Sequence, residues 1–279
     1  MGRDDAVLLT GATGALGSWL VRAAIEDGAS VCALARGAAG SSARQRVQES
    51  LAVTGVQQTP GLSVVEGDIF QDNCGITDGR LPGRVGLVVH CAACTDFHDT
   101  AAELNYRANV AGVKHVLEFA RRHHAPVVHL STAYVAGTQT GRVYEDNLDM
   151  GQGFNNVYER TKCHGEAMVR QWAAETGLPA IILRPSIVAG DWQGGRALRF
   201  NTLYDMMHAM DALAPAARGE RLRVVAQTDA TKNIIPVDYF ADVAWRIIRR
   251  GRAGTFHIVH PRPTDVCPVA ADLLGVVLR

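Results

Sequence analysis

Tyr158 and Lys162 stand four residues apart in the segment N-V-Y-E-R-T-K, so a helix would bring both side chains to one face. A free tyrosine has a pKa of about 10, roughly three units too high for efficient proton transfer at neutral pH. A nearby lysine cation, helped by a positively charged ligand ring, favours the phenolate and could supply the roughly 4 kcal/mol that such a shift needs. The pair therefore predicts proton transfer to or from a substrate oxygen.

Thr132 is a second hydroxyl that could act on the same oxygen. It follows the apolar run Val127 to Leu130 and could donate a hydrogen bond where negative charge develops. Tyrosine and lysine at this spacing also occur by chance on many helix faces. The hydroxyls of Ser131 and Thr132, just upstream at the end of a predicted strand, favour catalysis over chance.

Three glycines, Gly11, Gly14 and Gly17, recur between the apolar run Val7 to Leu9 and a stretch of helical periodicity that ends near Gly28. Glycine lets the backbone of such a turn approach a pyrophosphate, and the helix that follows points its N–H groups and dipole at the charge. The third glycine would let helix and strand pack closely. The spacing differs from the simplest G-x-G-x-x-G fingerprint, but a strand before and a helix after predict a dinucleotide site. With the Tyr–Lys pair, this indicates a nicotinamide-dependent enzyme that acts on a carbonyl.

The second predicted strand, residues 30–35, ends at Arg36, where enzymes that use NAD usually carry an acid for the ribose hydroxyls. A guanidinium suits a 2′-phosphate instead, because its planar fork binds phosphate oxygens and stays charged. Arg44 and Arg46 follow in a loop rich in Gly, Ala and Ser. The alternative is an ordinary solvated basic loop. The pattern favours NADP(H) over NAD.

Strand-like and helix-like stretches alternate along the chain, which is typical of an α/β fold with a doubly wound parallel sheet and ligands at the carboxyl ends of the strands. A loop-like insert covers residues 137–153, and the alternation weakens after residue 190. We therefore predict a Rossmann domain over residues 1–189 that carries the catalytic residues. Residues 190–279 would form a smaller, mainly substrate-binding lobe, with segments that return to the first domain. The predicted strands cover 7–9, 30–35, 62–68, 87–92, 127–130 and 180–183, and the longest predicted helices cover 101–124 and 157–176.

The 279 residues carry 28 basic and 28 acidic side chains, so no global charge favours nucleic acid or an anionic membrane. No apolar run approaches the about 18 residues of a membrane span, and the polar start of the chain is unlike a signal peptide, so we expect a cytoplasmic protein. The cysteines are scattered, and we expect Cys91 and Cys94 to be small buried residues rather than a redox or zinc pair. No metal site is predicted, and His129 is expected to be a core residue with satisfied nitrogens.

The order of these motifs is similar to that of the extended short-chain dehydrogenase/reductase superfamily over nearly the whole chain. Within it, the chain resembles the thioester-reductase and fatty acyl-CoA reductase branch, also called the male-sterility type. The segments that carry the resemblance are T-G-A-T-G-A-L-G at 10–17, the strand ending in Arg36 with Ala43 and Arg46 after it, G-D-I at 67–69, H-C-A-A at 90–93, N-V-A-G at 109–112, H-L-S-T-A-Y-V at 129–135, Y-E-R-T-K at 158–162, R-P-S-I-V at 184–188 and I-P-V-D-Y at 235–239.

The resemblance implies a role for each matching residue. Thr132, Tyr158 and Lys162 would form the catalytic triad, with Lys162 also holding the nicotinamide ribose. The cofactor-binding residues would be Gly11, Thr13, Gly14, Ala15, Leu16 and Gly17 at the pyrophosphate, Arg36 and Arg46 at the 2′-phosphate, Asp68 and Ile69 at the adenine, Ala92 and Ala93 along the dinucleotide, and Pro185, Ser186 and Ile187 at the nicotinamide amide.

The implied function is an NADPH-dependent reductase of an acyl thioester, carried by CoA or by an acyl carrier protein, that gives an aldehyde or, after a second reduction, an alcohol. Two alternatives stay open: a ketone or aldehyde reductase or sugar-nucleotide epimerase of the same superfamily, and a non-catalytic NADP-binding sensor. Arg36 weighs against an epimerase, which generally holds NAD, and the intact triad weighs against a sensor. A stripe at helical spacing is typical of lobe packing or of an apolar substrate groove; it consists of Phe200, Leu203, Met206, Met207 and Met210.

Overall fold

The computed structural model describes residues 5–56, 58–77, 79–198, 204, 208, 212 and 231–265. Its strands are β1 Ala6–Thr10, β2 Val31–Ala35, β3 Leu62–Glu66, β4 Val85–His90, β5 Val127–Leu130, β6 Ala180–Pro185, β7 Ile187–Ala189, β8 Thr231–Lys232, β9 Ile234–Pro236, β10 Gly254–Ile258 and β11 Thr264–Asp265. Seven of them form a parallel sheet in the order β10-β6-β5-β4-β1-β2-β3. The predicted α/β fold is confirmed.

Helices cover the sheet because parallel strands need crossover connections. The helices are α1 Ala15–Glu26, α2 Ala43–Val53, α3 Ala102–Tyr106, α4 Gly112–Arg122, α5 Val157–Thr176 and α6 Val237–Arg250. Helix α5 begins at the cap residue Asn156, whose side chain accepts from the Glu159 N–H, and it ends at Gly177, whose φ of 69° suits glycine. This helix has the predicted bounds of 157–176.

Apolar side chains form two layers, because successive strand residues point to opposite faces of the sheet. One layer packs against α1 and α6, and the other against α4 and α5. The first layer includes Leu9, Val128, Leu183, Leu20 and Phe240, and the second includes Leu8, Val127, Ile182, Val113 and Val169. Two apolar layers explain why the central strands read as apolar runs without a polar face.

The predicted helix over residues 101–124 is interrupted. A 3-10 turn at Asp99–Ala101 leads into α3, and a π-helical turn at Arg107–Ala111 separates α3 from α4. A π turn adds one residue to a helix without changing the apolar pattern visibly. The sequence therefore predicts one continuous helix. Asn109, in this turn, binds the backbone of Cys94 in the loop after β4.

Segments beyond residue 190 belong to the central sheet. Strand β10 pairs with β6 at the sheet edge, and α6 packs against α1. The division into residues 1–189 and 190–279 stays a prediction, because most of residues 199–230, including the apolar stripe from Phe200 to Met210, lie outside the described residues. In the part of the chain that the structure describes, no helix is long and apolar enough to cross a membrane.

Candidate functional site

The glycine turn between β1 and α1 leaves no room for side chains. Gly11 has a φ of +75°, and a Cβ atom there would lie 2.6 Å from the backbone nitrogen of Ala92. A Cβ on Gly17 would overlap the carbonyl oxygen of Gly11, so α1 can pack against the turn only with glycine at this position. Gly14 caps α1 without a side-chain hydrogen bond, and the first turn has no acidic residue. This close backbone cradle, facing the positive end of a helix dipole, fits a pyrophosphate.

Arg36 extends from the loop after β2 at the same edge of the sheet. Its Nη1 lies 3.5 Å from Oδ2 of Asp68, its guanidinium lies 5.3 Å from the ring centre of Phe70, and its side chain is 57% exposed. Arg46 donates from Nη1 to the carbonyl oxygen of Arg36 at 2.6 Å, and so holds the loop that carries Arg36. Arg107 lies over the same phenyl ring at 4.7 Å. The structure brings the two predicted arginines together and adds Phe70 and Arg107, which no sequence motif marks.

The other residues predicted to border a dinucleotide follow the carboxyl ends of strands. Ala92 donates its N–H to Oγ1 of Thr10 at 3.2 Å, which holds the chain after β4 against β1. The carbonyl oxygen of Ile69 lies 2.7 Å from Nδ1 of His115. The rest of the predicted set lies in the glycine turn or just after β4 and at the end of β6, and consists of Thr13, Ala15, Leu16, Ala93, Pro185, Ser186 and Ile187.

The predicted catalytic residues meet where β5 faces α5. Oγ1 of Thr132 accepts a hydrogen bond from the Tyr134 N–H at 3.2 Å and so caps a short 3-10 turn. Tyr158, in the first turn of α5, hydrogen-bonds with the Thr132 side chain. One turn later, Lys162 donates from Nζ to the carbonyl oxygen of Leu130 at 2.6 Å. Thr132, Tyr158 and Lys162 are all buried.

Burial sets the pKa values of this pair. Burial raises the pKa of Tyr158 to about 12, and the hydrogen bond with Thr132 offsets only part of that rise. Burial also lowers the pKa of Lys162 to about 8, against the opposing effects of Glu166 and Cys91. Desolvation is the largest influence on the pKa of both groups. That Lys162 and a positively charged ligand ring together lower the tyrosine pKa stays a prediction. The raised pKa favours the protonated form of Tyr158.

Two buried histidines lie near Lys162. Thr10, His90 and His129 occupy one register level of β1, β4 and β5. Nδ1 of His90 lies 2.7 Å from Oγ1 of Thr10, and the two imidazole rings are 5.5 Å apart. Burial, followed by the charge of Lys162, lowers the pKa of His90 to about 3 and that of His129 well below its usual value. Neither ring nitrogen of His129 has a partner among the described residues, so the expectation of satisfied nitrogens is wrong.

A buried ion network lies between the strand and the helix that carry Thr132, Tyr158 and Lys162. The side chains of Glu166 and Arg184 are both 0% exposed, and Arg184 donates from Nε and Nη2 to the two carboxylate oxygens at 2.9 and 2.6 Å. Glu166 also accepts from Oγ of Ser131 at 2.7 Å and from Nη2 of Arg170 at 2.9 Å. Arg184 donates from Nη2 to the carbonyl oxygen of Asn147 at 2.7 Å as well. The network joins β5, α5, β6 and the loop insert, so it fixes the position of Thr132 relative to Lys162.

Asn109, in the π-helical turn, connects α5 with the loop after β4. Its Nδ2 donates to Oγ1 of Thr161 at 3.1 Å and to the carbonyl oxygen of Cys94 at 2.9 Å, and its Oδ1 accepts from the Cys94 N–H at 2.9 Å. The thiols of Cys91 and Cys94 are free, and burial raises the pKa of both. Asn109 belongs to the motif N-V-A-G, but the sequence does not reveal that its side chain joins α5 to the loop after β4.

A family profile for NAD-binding proteins, described as "Male sterility protein", matches residues 9–244. A carboxylic acid reductase of Segniliparus rugosus is 29% identical over 294 residues, which cover 93% of this chain and 24% of that protein. The chain spans between 5% and 50% of the length of the most similar curated relatives.

Two solved structures share the fold. The terminal R domain from the myxalamid PKS–NRPS biosynthetic pathway gives a TM-score of 0.81 at 26% identity, covering 96% of this chain and 69% of that one. The UDP-glucuronic acid 4-epimerase of Bacillus cereus, in complex with NAD, gives a TM-score of 0.72 at 18% identity, covering 98% of this chain and 85% of that one. At 18% identity the second likeness shows the fold alone.

The buried network predicts a large stability loss for Glu166→Gln, by about 3–5 kcal/mol, because the change leaves Arg184 charged, buried and incompletely paired. The free energy of unfolding from urea titration measures it. Glu118→Gln is the matched control, since Glu118 pairs with Arg121 and Arg122 on an exposed face. It should change stability by no more than about 0.5 kcal/mol. Equal losses in the two variants would contradict the assigned role of the network.

Proposed function

The chain belongs to the male sterility protein family, and from that premise we propose that it is an NADPH-dependent reductase that reduces the carbonyl of an acyl thioester. The observation that carries the proposal is the hydrogen bond between the Thr132 and Tyr158 side chains, with Lys162 one helical turn further along α5, at the sheet edge that also holds the glycine turn. The carboxylic acid reductase among the relatives supports the acyl substrate. The product would be an aldehyde or, after a second reduction, an alcohol.

The chain's own residues fit a dinucleotide phosphate. The backbone of the turn at Gly11 and Gly17 would hold the pyrophosphate, and Arg36, supported by Arg46, would bind a 2′-phosphate. Lys162 would hold the nicotinamide ribose. When bound, the nicotinamide supplies a hydride to the substrate carbon.

Thr132 and Tyr158 would stabilise the charge that develops on the substrate oxygen. Both hydroxyls can donate to the thioester carbonyl oxygen as it becomes an oxyanion. When the carbonyl re-forms, the carbon–sulfur bond breaks, and the products are a thiolate and an aldehyde. In a second reduction, the aldehyde oxygen would take the proton of Tyr158, whose pKa of about 12 keeps that proton in place at neutral pH. Two rounds therefore give an alcohol.

The substrate would be bound to CoA or to an acyl carrier protein. The R domain of a PKS–NRPS pathway, at 26% identity, supports a carrier-bound acyl group. The acyl chain would reach the site from the carboxyl ends of the strands. Phe200, Leu203 and Met207, which the sequence offers as groove or packing residues, lie outside the described residues.

An NADPH-oxidation assay, combined with analysis of the sugar product and titration of the cofactor, tests this proposal against its alternatives. The panel contains acyl-CoA thioesters, carrier-bound acyl groups, free aldehydes, ketones and a UDP-sugar. Oxidation of NADPH with release of free thiol from a thioester supports the proposal. Turnover of ketones or aldehydes with no thioester indicates the related reductase, epimerisation of the UDP-sugar indicates an epimerase, and tight NADPH binding with no turnover indicates a sensor. Each of these three results would contradict the proposal.

Arg36→Ala should weaken NADPH binding by roughly ten- to a hundredfold and leave NADH binding unchanged, because a charge-assisted contact with phosphate contributes about 1.5–3 kcal/mol. Fluorescence titration of both cofactors measures the two dissociation constants. Arg246→Ala removes another exposed arginine, one that pairs with Asp242 on α6, and should change neither constant. Equal affinities for NADPH and NADH in the wild type would remove the basis for the 2′-phosphate site.

Tyr158→Phe should lose turnover by about 10²–10⁴-fold while the dissociation constant for NADPH stays within about twofold, because only the proton-donating hydroxyl is removed. Steady-state kinetics and cofactor titration measure the two effects. Tyr144→Phe removes the hydroxyl of an exposed tyrosine in the loop insert and serves as the control. Near wild-type turnover in Tyr158→Phe, with chemistry rate-limiting, would exclude its role as proton donor.

Lys162 should impose an alkaline limit on turnover near pH 8, because its lowered pKa of about 8 means that the ammonium is lost well below pH 10.5. His90 at the end of β4, Cys91 just after it, His129 on β5 and Glu166 on α5 face this group, and both histidines stay neutral throughout this range. The unfolded chain keeps the lysine charged up to about pH 10.5, so the free energy of unfolding should rise between pH 8 and pH 10.5 relative to Lys162→Met.

Turnover against pH, measured at saturating cofactor, gives the midpoint. Lys232→Met, which changes an exposed lysine, should keep the midpoint near pH 8. A midpoint above pH 10 would mean that Lys162 has the pKa of an ordinary lysine.

A further inference from the structure

The loop that follows β4 is held rigidly although it has no regular structure. The backbone N–H and carbonyl of Cys94 both bind the Asn109 side chain, at 2.9 Å each. Two residues later, the carbonyl oxygen of Asp96 accepts from Nδ2 of Asn105 at 2.9 Å, and Oδ1 of Asp96 accepts from the His98 N–H at 2.9 Å. Asn105 and Asn109 are both buried and belong to the helical segment that contains the π turn. Two buried amide side chains therefore hold the loop at residues 94 and 96, just before residue 97.

The clamped loop presents Phe97 to the catalytic tyrosine. The ring centre of Phe97 lies 5.2 Å from that of Tyr158, with the rings tilted by 45°, and 6.4 Å from that of Tyr134, nearly edge to face. Such distances leave no space for another group between the rings. Phe97 is half-buried, so part of its ring stays accessible. Phe97 and Tyr134 thus form an aromatic wall next to the Tyr158 ring.

The bond lengths of the substrate determine which of its atoms would lie against this aromatic wall. A substrate oxygen bound by Tyr158 and Thr132 lies about 2.8 Å from each hydroxyl oxygen. Carbonyl and carbon–carbon bonds of about 1.2 and 1.5 Å then place the α-carbon of the acyl group only about 2.4 Å beyond that oxygen. The α-carbon and its substituents would therefore lie within reach of the rings that surround the tyrosine. A methylene group can lie flat on an aromatic ring, whereas a second carbon branch needs volume that the wall fills.

We infer that Phe97 is a specificity-determining residue, which contacts the α-carbon of the acyl group and selects unbranched acyl thioesters over α-branched ones. The inference rests on the proposed thioester reduction and adds the class of acyl group that the site accepts. Asn105 and Asn109 act as positioning residues, since they hold the loop that carries the ring. The apolar face of Phe97 also favours an aliphatic α-carbon over one that carries a charged group.

The test compares butyryl-CoA with isobutyryl-CoA, which have the same atoms and differ only in branching at the α-carbon. The kcat/KM values of both are measured with NADPH for the wild type, Phe97→Ala, Phe97→Leu and the control Tyr106→Ala. Tyr106 is an exposed aromatic residue of α3 whose ring lies near His164, away from the catalytic rings. The dissociation constant for NADPH and the midpoint of thermal unfolding are measured for each variant, so that loss of folding is recognised.

The wild type should prefer butyryl-CoA, and Phe97→Ala should reduce the butyryl to isobutyryl ratio by about tenfold or more, which is the usual effect of one methyl group in an apolar site. Phe97→Leu should give an intermediate ratio and Tyr106→Ala the wild-type ratio. Equal loss on both substrates, with NADPH binding unchanged, would overturn the role of Phe97 and leave the proposed reductase standing. If the wild type reduces neither thioester but does reduce free aldehydes or ketones, the proposed function fails, and the inference fails with it.

Discussion

The ion pair between Glu166 and Arg184 is the interaction on which the geometry of the site depends. Both side chains are fully buried, and a buried charge is tolerated only when it is paired and its remaining donors and acceptors are satisfied. The carboxylate meets this condition by binding two arginines and the hydroxyl of Ser131. Each partner belongs to a different part of the fold, so the requirement for pairing also fixes how these parts lie relative to one another.

The ion pair also positions the residues of the proposed active site, because its partners are close to them in the chain. Ser131 precedes Thr132, and Glu166 lies one helical turn beyond Lys162, so holding Ser131 to Glu166 also holds β5 against α5. Tyr158 and Lys162 are buried between these elements, and their burial raises the pKa of the tyrosine and lowers that of the lysine. A protonated Tyr158 suits the proposed donation of a proton to a newly formed alkoxide.

Features that depend on local sequence were predictable. The glycine spacing before α1 predicted a turn without side chains, and the overlap that a Cβ would create at Gly11 and Gly17 gives the reason. The alternation of apolar runs with helical stretches predicted the parallel sheet, and α5 has the predicted bounds of residues 157–176. Features that depend on contacts between distant segments were not predictable. The π turn, the partners of Glu166 and the position of Phe97 against Tyr158 require the folded chain, and the sign of the tyrosine pKa shift depends on burial that the spacing of Tyr158 and Lys162 does not reveal.

The central claim is that a hydride from NADPH reaches the carbonyl carbon of an acyl thioester within this site. Single-turnover reaction of the protein with an acyl-CoA and NADPH that carries deuterium on the transferable carbon of the nicotinamide tests it directly, with mass spectrometry of the products. The account predicts one deuterium on the carbonyl carbon of the aldehyde and an equimolar amount of free CoA. Consumption of the labelled cofactor with no deuterium in the acyl product, or with the thioester left intact, would contradict it.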